Sequence, residues 1–325
     1  MYQQLLFSFA SDMMWLNVML LILGVMVVLW GADKLTEGAV GLAERMGIPQ
    51  MVIGLTIVAC GTSMPEFCVS LVSAVKGTPD LAIGNVVGSN IFNALLIVGC
   101  AAMVSPIAIL KSTVKKDIPF ALVASVVMLM LCLNGDISRI DALIFVAMFV
   151  VFMAITLRDA KKNGGESTQD NETKARMTPA KAMAMVALGL VCLILGSNVF
   201  VDNASMVAST LGVSDAVIGL TIVACGTSLP ELATSIVAAR KGNSGIAIGN
   251  VLGSNVFNIL FILGVTGLIS PMTIDGITSV DLCMMVISMI LLWLFSFTKY
   301  SIERWEGAVL ALIFIGYTSY LIYNA

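Results

Sequence analysis

The chain repeats a twelve-residue segment within itself, and this repeat limits the folds that it can adopt. Residues Val52 to Ser63 read VIGLTIVACGTS, and Val217 to Ser228 have the same twelve letters. A second pair of similar segments follows, AIGNVVGSNIFN from Ala82 and AIGNVLGSNVFN from Ala247. The copies in both pairs are 165 residues apart. A constant offset indicates an internal duplication, so the sequence predicts two halves of the same fold.

Long apolar runs separate the few charged residues. Of the 325 residues 59% are hydrophobic and only 11% are charged, whereas a soluble domain is about 25% charged. The mean hydropathy is +1.01. Because a membrane-spanning helix needs about 20 apolar residues, we expect an all-α membrane protein with ten transmembrane helices. The predicted segments are 14–42, 50–75, 80–104, 117–134, 138–158, 180–210, 215–239, 245–270, 277–298 and 303–323.

One long polar stretch, from Arg158 to Lys181, separates these ten segments into two groups of five. We therefore expect a first five-helix repeat over 1–157, a linker loop over 158–179 and a second repeat over 180–325. Because five is odd, the second copy enters the membrane in the opposite direction. The sequence thus predicts two inverted-topology repeats with broken helices 2, 3, 7 and 8 at the core, an architecture common among secondary transporters.

The positions of the Lys and Arg residues predict the orientation. With the N-terminus outside, 14 of the 17 Lys and Arg residues fall on the cytoplasmic side. Lys76 and Arg139 fall outside, and Lys34 lies within the first helix. Because short cytoplasmic loops are rich in Lys and Arg, both termini are expected outside and the linker loop in the cytoplasm.

The chain has no histidine, which excludes His-ligated zinc sites and Ser-His-Asp triads. Its seven cysteines all lie in apolar segments without a CxxC pair, and we interpret them as small buried hydrophobic residues. We find no nucleophile–base pair and no basic patch. We therefore expect no enzymatic activity, no cofactor, no nucleic acid and no obligate protein partner.

The repeated motif carries oxygen ligands on one face of a helix. In the first copy the spacing places Ala59, Thr62, Ser63 and Glu66 on the same face. Pro65 lacks an amide donor and so leaves an upstream carbonyl without its partner. Hydroxyls, free carbonyls and a carboxylate are the ligands that Na+ and Ca2+ prefer. The motif therefore predicts a cation site.

The following helix adds polar residues with the spacing i, i+4, i+8, namely Asn85, Ser89 and Asn93. Asn85 has the simpler interpretation of a bridge between helices. Two glutamates supply a charge of −2, which one Ca2+ or two monovalent cations would cancel. A site that binds either one Ca2+ or two monovalent cations, but not both at once, meets the minimal requirement for an exchanger. The second copy provides Ala224, Thr227, Ser228, Glu231, Asn250, Ser254 and Asn258.

At GTSMPE and GTSLPE, followed by GNVVGSNIFN and GNVLGSNVFN, the chain resembles the cation/calcium exchanger superfamily, specifically prokaryotic sodium/calcium exchangers. The resemblance covers essentially the whole chain. It implies Na+/Ca2+ exchange by alternating access across the bacterial cytoplasmic (inner) membrane, with Ca2+ and Na+ as substrates. Glu66 and Glu231 would be the central Ca2+ ligands. The other implied ligands are Thr62, Ser63, Thr227, Ser228, Ser89, Ser254, Asn93 and Asn258, with the carbonyls of Ala59 and Ala224 at flanking Na+ sites.

Several alternatives stay open from the sequence. Relatives that include potassium-dependent exchangers carry Asp where this chain has Asn258, which removes a charge and argues against K+ co-transport. A Ca2+/H+ exchanger could use the same two glutamates as proton carriers. A cation channel would also need oxygen ligands, but channels normally repeat their filter by oligomer symmetry and not within one chain.

Overall fold

The computed structural model is almost entirely helical and describes residues 2–163, 177–211, 224–274 and 276–324. Most of the predicted linker loop, 158–179, lies outside the described residues. So does the stretch 217–223 in the second copy of the motif. The protein is a predominantly helical membrane protein.

The first half contains seven helices and two very short strands. They are α1 Tyr2–Met46, α2 Gln50–Thr62, α3 Met64–Val75, α4 Pro79–Val104, β1 Ile107–Ala108, α5 Lys111–Lys115, α6 Asp117–Cys132, β2 Asp136–Ile137 and α7 Arg139–Asn163. The described part of the second half has the same order, except that no helix equivalent to α5 lies between its first strand and the helix that follows. Its elements are α8 Pro179–Thr210, α9 Ala224–Gly226, α10 Leu229–Arg240, α11 Ser244–Ile269, β3 Met272–Thr273, α12 Ser279–Ser296, β4 Ser301–Ile302 and α13 Arg304–Asn324.

Within the described residues, seven helices are long and apolar enough to cross a membrane, or eight if α2 and α3 form one bent span. Two of the ten predicted segments are not among them. Segment 117–134 corresponds to α6, which has only 16 residues. Segment 215–239 is described only from Ala224 onward.

The second helix of the fold is bent where the motif places its proline. Helices α2 and α3 meet at 47°, with Ser63 between them at φ −84° and ψ 8°. Ser228, between α9 and α10, has nearly the same backbone angles, φ −90° and ψ 6°. Pro65 and Pro230 lie in the first turns of α3 and α10, where a helix needs no amide donor. The predicted breaks in helices 2 and 7 are therefore present.

The predicted breaks in helices 3 and 8 are wrong. Helices α4 and α11 run without interruption through wider π-helical turns at Phe92–Ile97 and Phe257–Ile262. Neither helix has an internal proline that would force a break. The wider turns carry Asn93 and Asn258, and such turns occur often at functional sites.

The four strands connect the two halves at two ends of the molecule. Strand β1 pairs antiparallel with β4 through Ile107 and Ile302, and β2 pairs with β3 through Ile137 and Met272. Helix α6 lies between β1 and β2 in the chain. Its 16 residues separate the two pairs by about 24 Å along its axis. We refer to these ends as the β1–β4 face and the β2–β3 face.

Helices α4 and α11 are the most buried spans and form the centre of the bundle. Helix α2 approaches α11 closely because Gly253 lacks a side chain. A Cβ there would lie 2.6 Å from the Ala59 Cβ and 2.6 Å from the Leu55 carbonyl oxygen. This packing brings the end of α2 next to the middle of α11.

Candidate functional site

Two glutamates from different halves lie buried at the centre of the bundle. Glu66 is in the first turn of α3 and Glu231 is in the first turn of α10, and each is 1% exposed. Within the described residues, neither forms an ion pair with Lys or Arg. A buried carboxylate without a cation is costly. The helix N-termini offset part of this cost because their dipoles favour negative charge.

Each glutamate contacts the serine at the bend in the other half. The Ser63 hydroxyl donates a hydrogen bond of 2.8 Å to Glu231 Oε1. The Ser228 hydroxyl donates one of 2.9 Å to Glu66 Oε1. The Thr62 side chain lies beside the Glu231 carboxyl and the Thr227 side chain beside that of Glu66. The two copies of the motif therefore meet at one site, as their sequence predicts.

The central helices α4 and α11 contribute one hydroxyl each. Ser89 Oγ lies 3.2 Å from Ser228 Oγ, and Ser254 Oγ lies 3.4 Å from Glu231 Oε1. Both serines are buried. These contacts place the predicted residues of α4 and α11 next to the predicted residues of the bends.

The carbonyl of Ala59 lies in the last turn of α2. It accepts the Ser63 amide at 3.0 Å and faces the Thr62 hydroxyl at 3.4 Å. The Thr62 hydroxyl has one hydrogen and lies closer to the Val58 carbonyl oxygen, at 3.1 Å. One of the two lone pairs of the Ala59 carbonyl oxygen can therefore accept a further partner. Ala224, the predicted equivalent, is the first described residue of α9.

Asn85 and Asn250 hold the bends in place through equivalent hydrogen bonds. The Asn85 amide donates to the Glu66 carbonyl oxygen at 3.1 Å and to Ser70 Oγ at 2.9 Å. The Asn250 amide donates to the Glu231 carbonyl oxygen at 3.3 Å and to Ser235 Oγ at 3.0 Å. These bonds agree with a bridging role. Ser70 and Ser235 lie outside the predicted set of site residues, although they are also 165 residues apart.

Asn93 and Asn258 occupy equivalent positions in the π-helical turns, and each is 1% exposed. The Asn93 amide donates to Asn255 Oδ1 at 3.0 Å, which joins α4 to α11. Neither polar atom of the Asn258 side chain has a hydrogen-bond partner in the described part of the chain. No described hydrogen bond connects Asn93 or Asn258 to the glutamates.

Five buried side-chain oxygens of the predicted ligands lack a hydrogen-bond partner among the described residues. Buried polar atoms are normally paired, so these oxygens could accept a cation. The described chain contains no group of three or more His, Cys, Asp or Glu residues that could hold a metal. Mixed carboxylate, hydroxyl and amide oxygens suit hard cations such as Ca2+ and Na+. The five atoms are Glu66 Oε2, Glu231 Oε2, Thr227 Oγ1, Asn93 Oδ1 and Asn258 Oδ1.

Comparisons with known proteins agree with this chemistry. The sequence matches the family model described as sodium/calcium exchanger protein over 16–158 and again over 181–323. It is 38% identical to the inner membrane protein YrbG of Escherichia coli K12, with 86% of this chain and 90% of YrbG covered. It is 33% identical to the sodium/calcium exchanger MaX1 of Methanosarcina acetivorans, with 96% of this chain and 100% of MaX1 covered.

The fold is also similar to a solved structure, that of the sodium-calcium exchanger NCX_Mj soaked with zero Na+ and Ca2+. The TM-score is 0.82 and the sequence identity is 30%. The match covers 94% of this chain and 99% of the other. The similarity therefore includes both halves.

Proposed function

Because the chain belongs to the sodium/calcium exchanger protein family, we propose that it exchanges Na+ for Ca2+ across the bacterial cytoplasmic membrane by alternating access. The observation that carries this proposal is the pair of buried glutamates, each hydrogen-bonded to the bend serine of the other half. We expect a transporter without enzymatic activity and without a cofactor, whose substrates are the two ions.

The proposed ligands are the oxygens that converge on the two carboxylates. Ca2+ takes about 6 to 8 oxygen ligands, and the site offers more than this number. A surplus fits several Na+ subsites around one Ca2+ position. The first half contributes Glu66, Ala59, Thr62, Ser63, Ser89 and Asn93, and the second half contributes Glu231, Ala224, Thr227, Ser228, Ser254 and Asn258.

The charge of the site explains why the two ions would exclude each other. One Ca2+ or two Na+ neutralise the two carboxylates, whereas both loads together would leave a buried positive charge. An empty site would leave a charge of −2 inside the membrane, which costs about 2.5 to 3.5 kcal/mol per charge at the helix centre. The empty protein would therefore change its access slowly, and Ca2+ movement in one direction would require Na+ movement in the other.

The proposed topology has ten transmembrane helices in two inverted repeats, 1–157 and 180–325, joined by a cytoplasmic linker over 158–179. Both termini lie outside. The strand pairs support the inversion because β1 and its equivalent β3, 165 residues later, lie at different faces. The bend geometry at Ser63 and Ser228 supports the equivalence of the two halves.

A Ca2+/H+ exchanger and a K+-dependent exchanger could use the same site. The amide at Asn258 disfavours H+ exchange because it does not titrate. It disfavours K+ dependence because it adds no charge for a further cation. Uptake of 45Ca into proteoliposomes, driven separately by Na+, K+ or H+ gradients, distinguishes the three. We expect uptake with an outward Na+ gradient at clamped pH, and uptake that follows only the H+ gradient would contradict the proposal.

The same assay tests the role of the glutamates. Glu66→Gln keeps the shape of the side chain and removes one of the two charges, so we expect Na+-driven uptake to fall to background. Glu44→Gln is the matched control because Glu44 is exposed near the end of α1. Undiminished exchange in Glu66→Gln would refute the proposed site.

A further inference from the structure

An ion-pair network connects α1 to the end of α10. Lys241, which directly follows α10, bonds to Asp33 and lies 3.3 Å from Glu37 Oε1, both on α1. Lys34 pairs with Glu37 at 2.9 Å within α1. This network lies at the β1–β4 face, because the Ser244 hydroxyl accepts a hydrogen bond from the Ala108 amide of β1.

The internal repeat supplies a second set of similar charges. At the 165-residue offset, Lys241 corresponds to Lys76 and Glu37 corresponds to Asp202 on α8. The glycines that follow the two lysines, Gly77 and Gly242, share a positive φ of 79° and 77°. The second set belongs to the β2–β3 face, because the Ser270 hydroxyl near β3 donates to the Ala74 carbonyl beside Lys76.

The two sets of charged residues differ in their ion pairs. Lys241 is paired, whereas Lys76 and Asp202 are exposed and form no ion pair within the described residues. Under alternating access, each half would in turn adopt the arrangement of the other. The second state would then exchange these contacts between the halves.

Helices α1 and α8 are packed closely enough to move together. Glycines repeat every seven residues along the contact, and a Cβ on any of them would meet backbone of the other helix. A Cβ on Gly24 would lie 2.9 Å from the Phe200 nitrogen, and one on Gly31 would lie 2.9 Å from the Gly189 oxygen. On Gly38 it would lie 2.7 Å from the Ala182 oxygen. A shift of this pair relative to α3 and α10 would therefore separate one set of charges while it joins the other.

We propose that Lys241 with Asp33 and Glu37, and Lys76 with Asp202, are two ionic latches that close alternately on opposite faces. This proposal rests on the proposed exchange function. The latch at the β1–β4 face, cytoplasmic in the proposed orientation, is closed in this structure. Partly exposed ion pairs are weak, so each latch biases the balance between the access states without blocking the transition.

Transport measured from each side tests the direction of this bias. In everted and right-side-out vesicles, the apparent KM for Ca2+ depends on the fraction of molecules open to that side. We expect Lys241→Gln to lower the cytoplasmic KM relative to the outer KM by about threefold to fivefold, and Lys76→Gln to shift the ratio in the opposite direction. Arg240→Gln is the matched control, since it removes a neighbouring charge that forms no described ion pair.

A variant in which the charges at positions 33 and 241 are swapped distinguishes a latch from a lysine that has only a structural role. The double variant Asp33→Lys with Lys241→Glu should restore the wild-type KM ratio, whereas Lys241→Glu alone should not. Shifts in the same direction for Lys241→Gln and Lys76→Gln, or an unchanged ratio in both, would overturn the proposal.

Disulfide cross-linking provides a readout that does not depend on transport. In a chain without its native cysteines, Glu37→Cys with Lys241→Cys and Lys76→Cys with Asp202→Cys should each cross-link when introduced separately. With all four substitutions in one chain, singly cross-linked molecules should form and doubly cross-linked molecules should not. Doubly cross-linked chains would show that the latches do not alternate.

Absence of Na+-driven Ca2+ uptake in the wild type would instead refute the proposed function. The cross-links would still show whether the two latches alternate.

Discussion

In the proposed site, the total charge depends on the residue at position 258. Asn258 is 1% exposed and neither its nitrogen nor its oxygen has a described partner. It therefore leaves the site with two carboxylates where aspartate would give three. Among the proposed ligands, this residue has the greatest influence on the number of cations that the site can neutralise.

Asn258→Asp should increase the number of Na+ ions needed to displace Ca2+. A third carboxylate requires about one further monovalent cation for neutrality. The slope of log Kd for Ca2+ against log Na+ concentration should therefore rise by about one. Equilibrium 45Ca binding to purified protein measures this slope, and an unchanged slope would show that position 258 lies outside the site.

Ser63→Ala should weaken Ca2+ binding without unfolding the protein. It removes the 2.8 Å hydrogen bond to Glu231 Oε1 and one proposed ligand. Loss of one partner of a buried charged group costs about 1 to 3 kcal/mol, so the affinity should fall by a factor of about 5 to 150. Ser125→Ala is the control, because the Ser125 hydroxyl bonds to the Ala121 carbonyl of its own helix. Equal affinities of the two variants for Ca2+ would contradict the ligand role.

The residues that surround the carboxylates could be predicted from the sequence only where the repeated motif contains them. Thr62, Ser63 and Glu66 share a helix face, and the repeat indicates that their equivalents converge with them. The sequence does not predict the bond between Asn93 and Asn255, because these residues lie on different helices and are 162 positions apart in the chain. Such a contact depends on tertiary packing that helical spacing does not describe.

At the scale of elements, proline predicts a bend and asparagine does not predict a break. Pro65 and Pro230 mark the bends next to Ser63 and Ser228. Helices α4 and α11 contain glycine and asparagine but no internal proline, and they accommodate their polar residues by a π-helical turn. A π-helical turn has no clear sequence signature, so the sequence does not distinguish it from the breaks that we expected in these two helices.

Gly253→Ala should lower thermal stability and disturb the site. Its Cβ would lie 2.6 Å from both the Leu55 oxygen and the Ala59 Cβ, so α2 and α11 would have to separate. Overpacking of this kind costs about 1 to 3 kcal/mol. Gly316→Ala is the control, since this exposed glycine in α13 has no described atom near the added Cβ. Thermal unfolding in detergent compares the two, and equal midpoints would contradict the close packing.

At the scale of the whole molecule, two strand pairs join the halves, and the sequence does not predict them. Each strand has only two residues, which is too short for an alternating pattern to be recognised. Yet these strands connect the first half to the second at both faces. The duplication and its offset, in contrast, were evident from the sequence, and so were most of the helical segments.

The proposed orientation predicts which side of the membrane exposes the linker. A protease site inserted between residues 164 and 176 should be cut in everted vesicles and protected in right-side-out vesicles, because the count of Lys and Arg places this loop in the cytoplasm. A site added after Ala325 should show the opposite pattern. Cleavage of the linker from outside would reverse the proposed topology.

We propose that one site, whose charge of −2 comes from two buried glutamates, binds either Ca2+ or Na+. The most direct test is equilibrium binding of 45Ca to the purified wild-type protein over a range of Na+ concentrations at constant ionic strength. We expect saturable Ca2+ binding whose log Kd rises with log Na+ concentration with a slope of about two or more, since at least two Na+ are needed for neutrality. Ca2+ binding that is independent of Na+, or that is equally strong in Glu66→Gln, would contradict it.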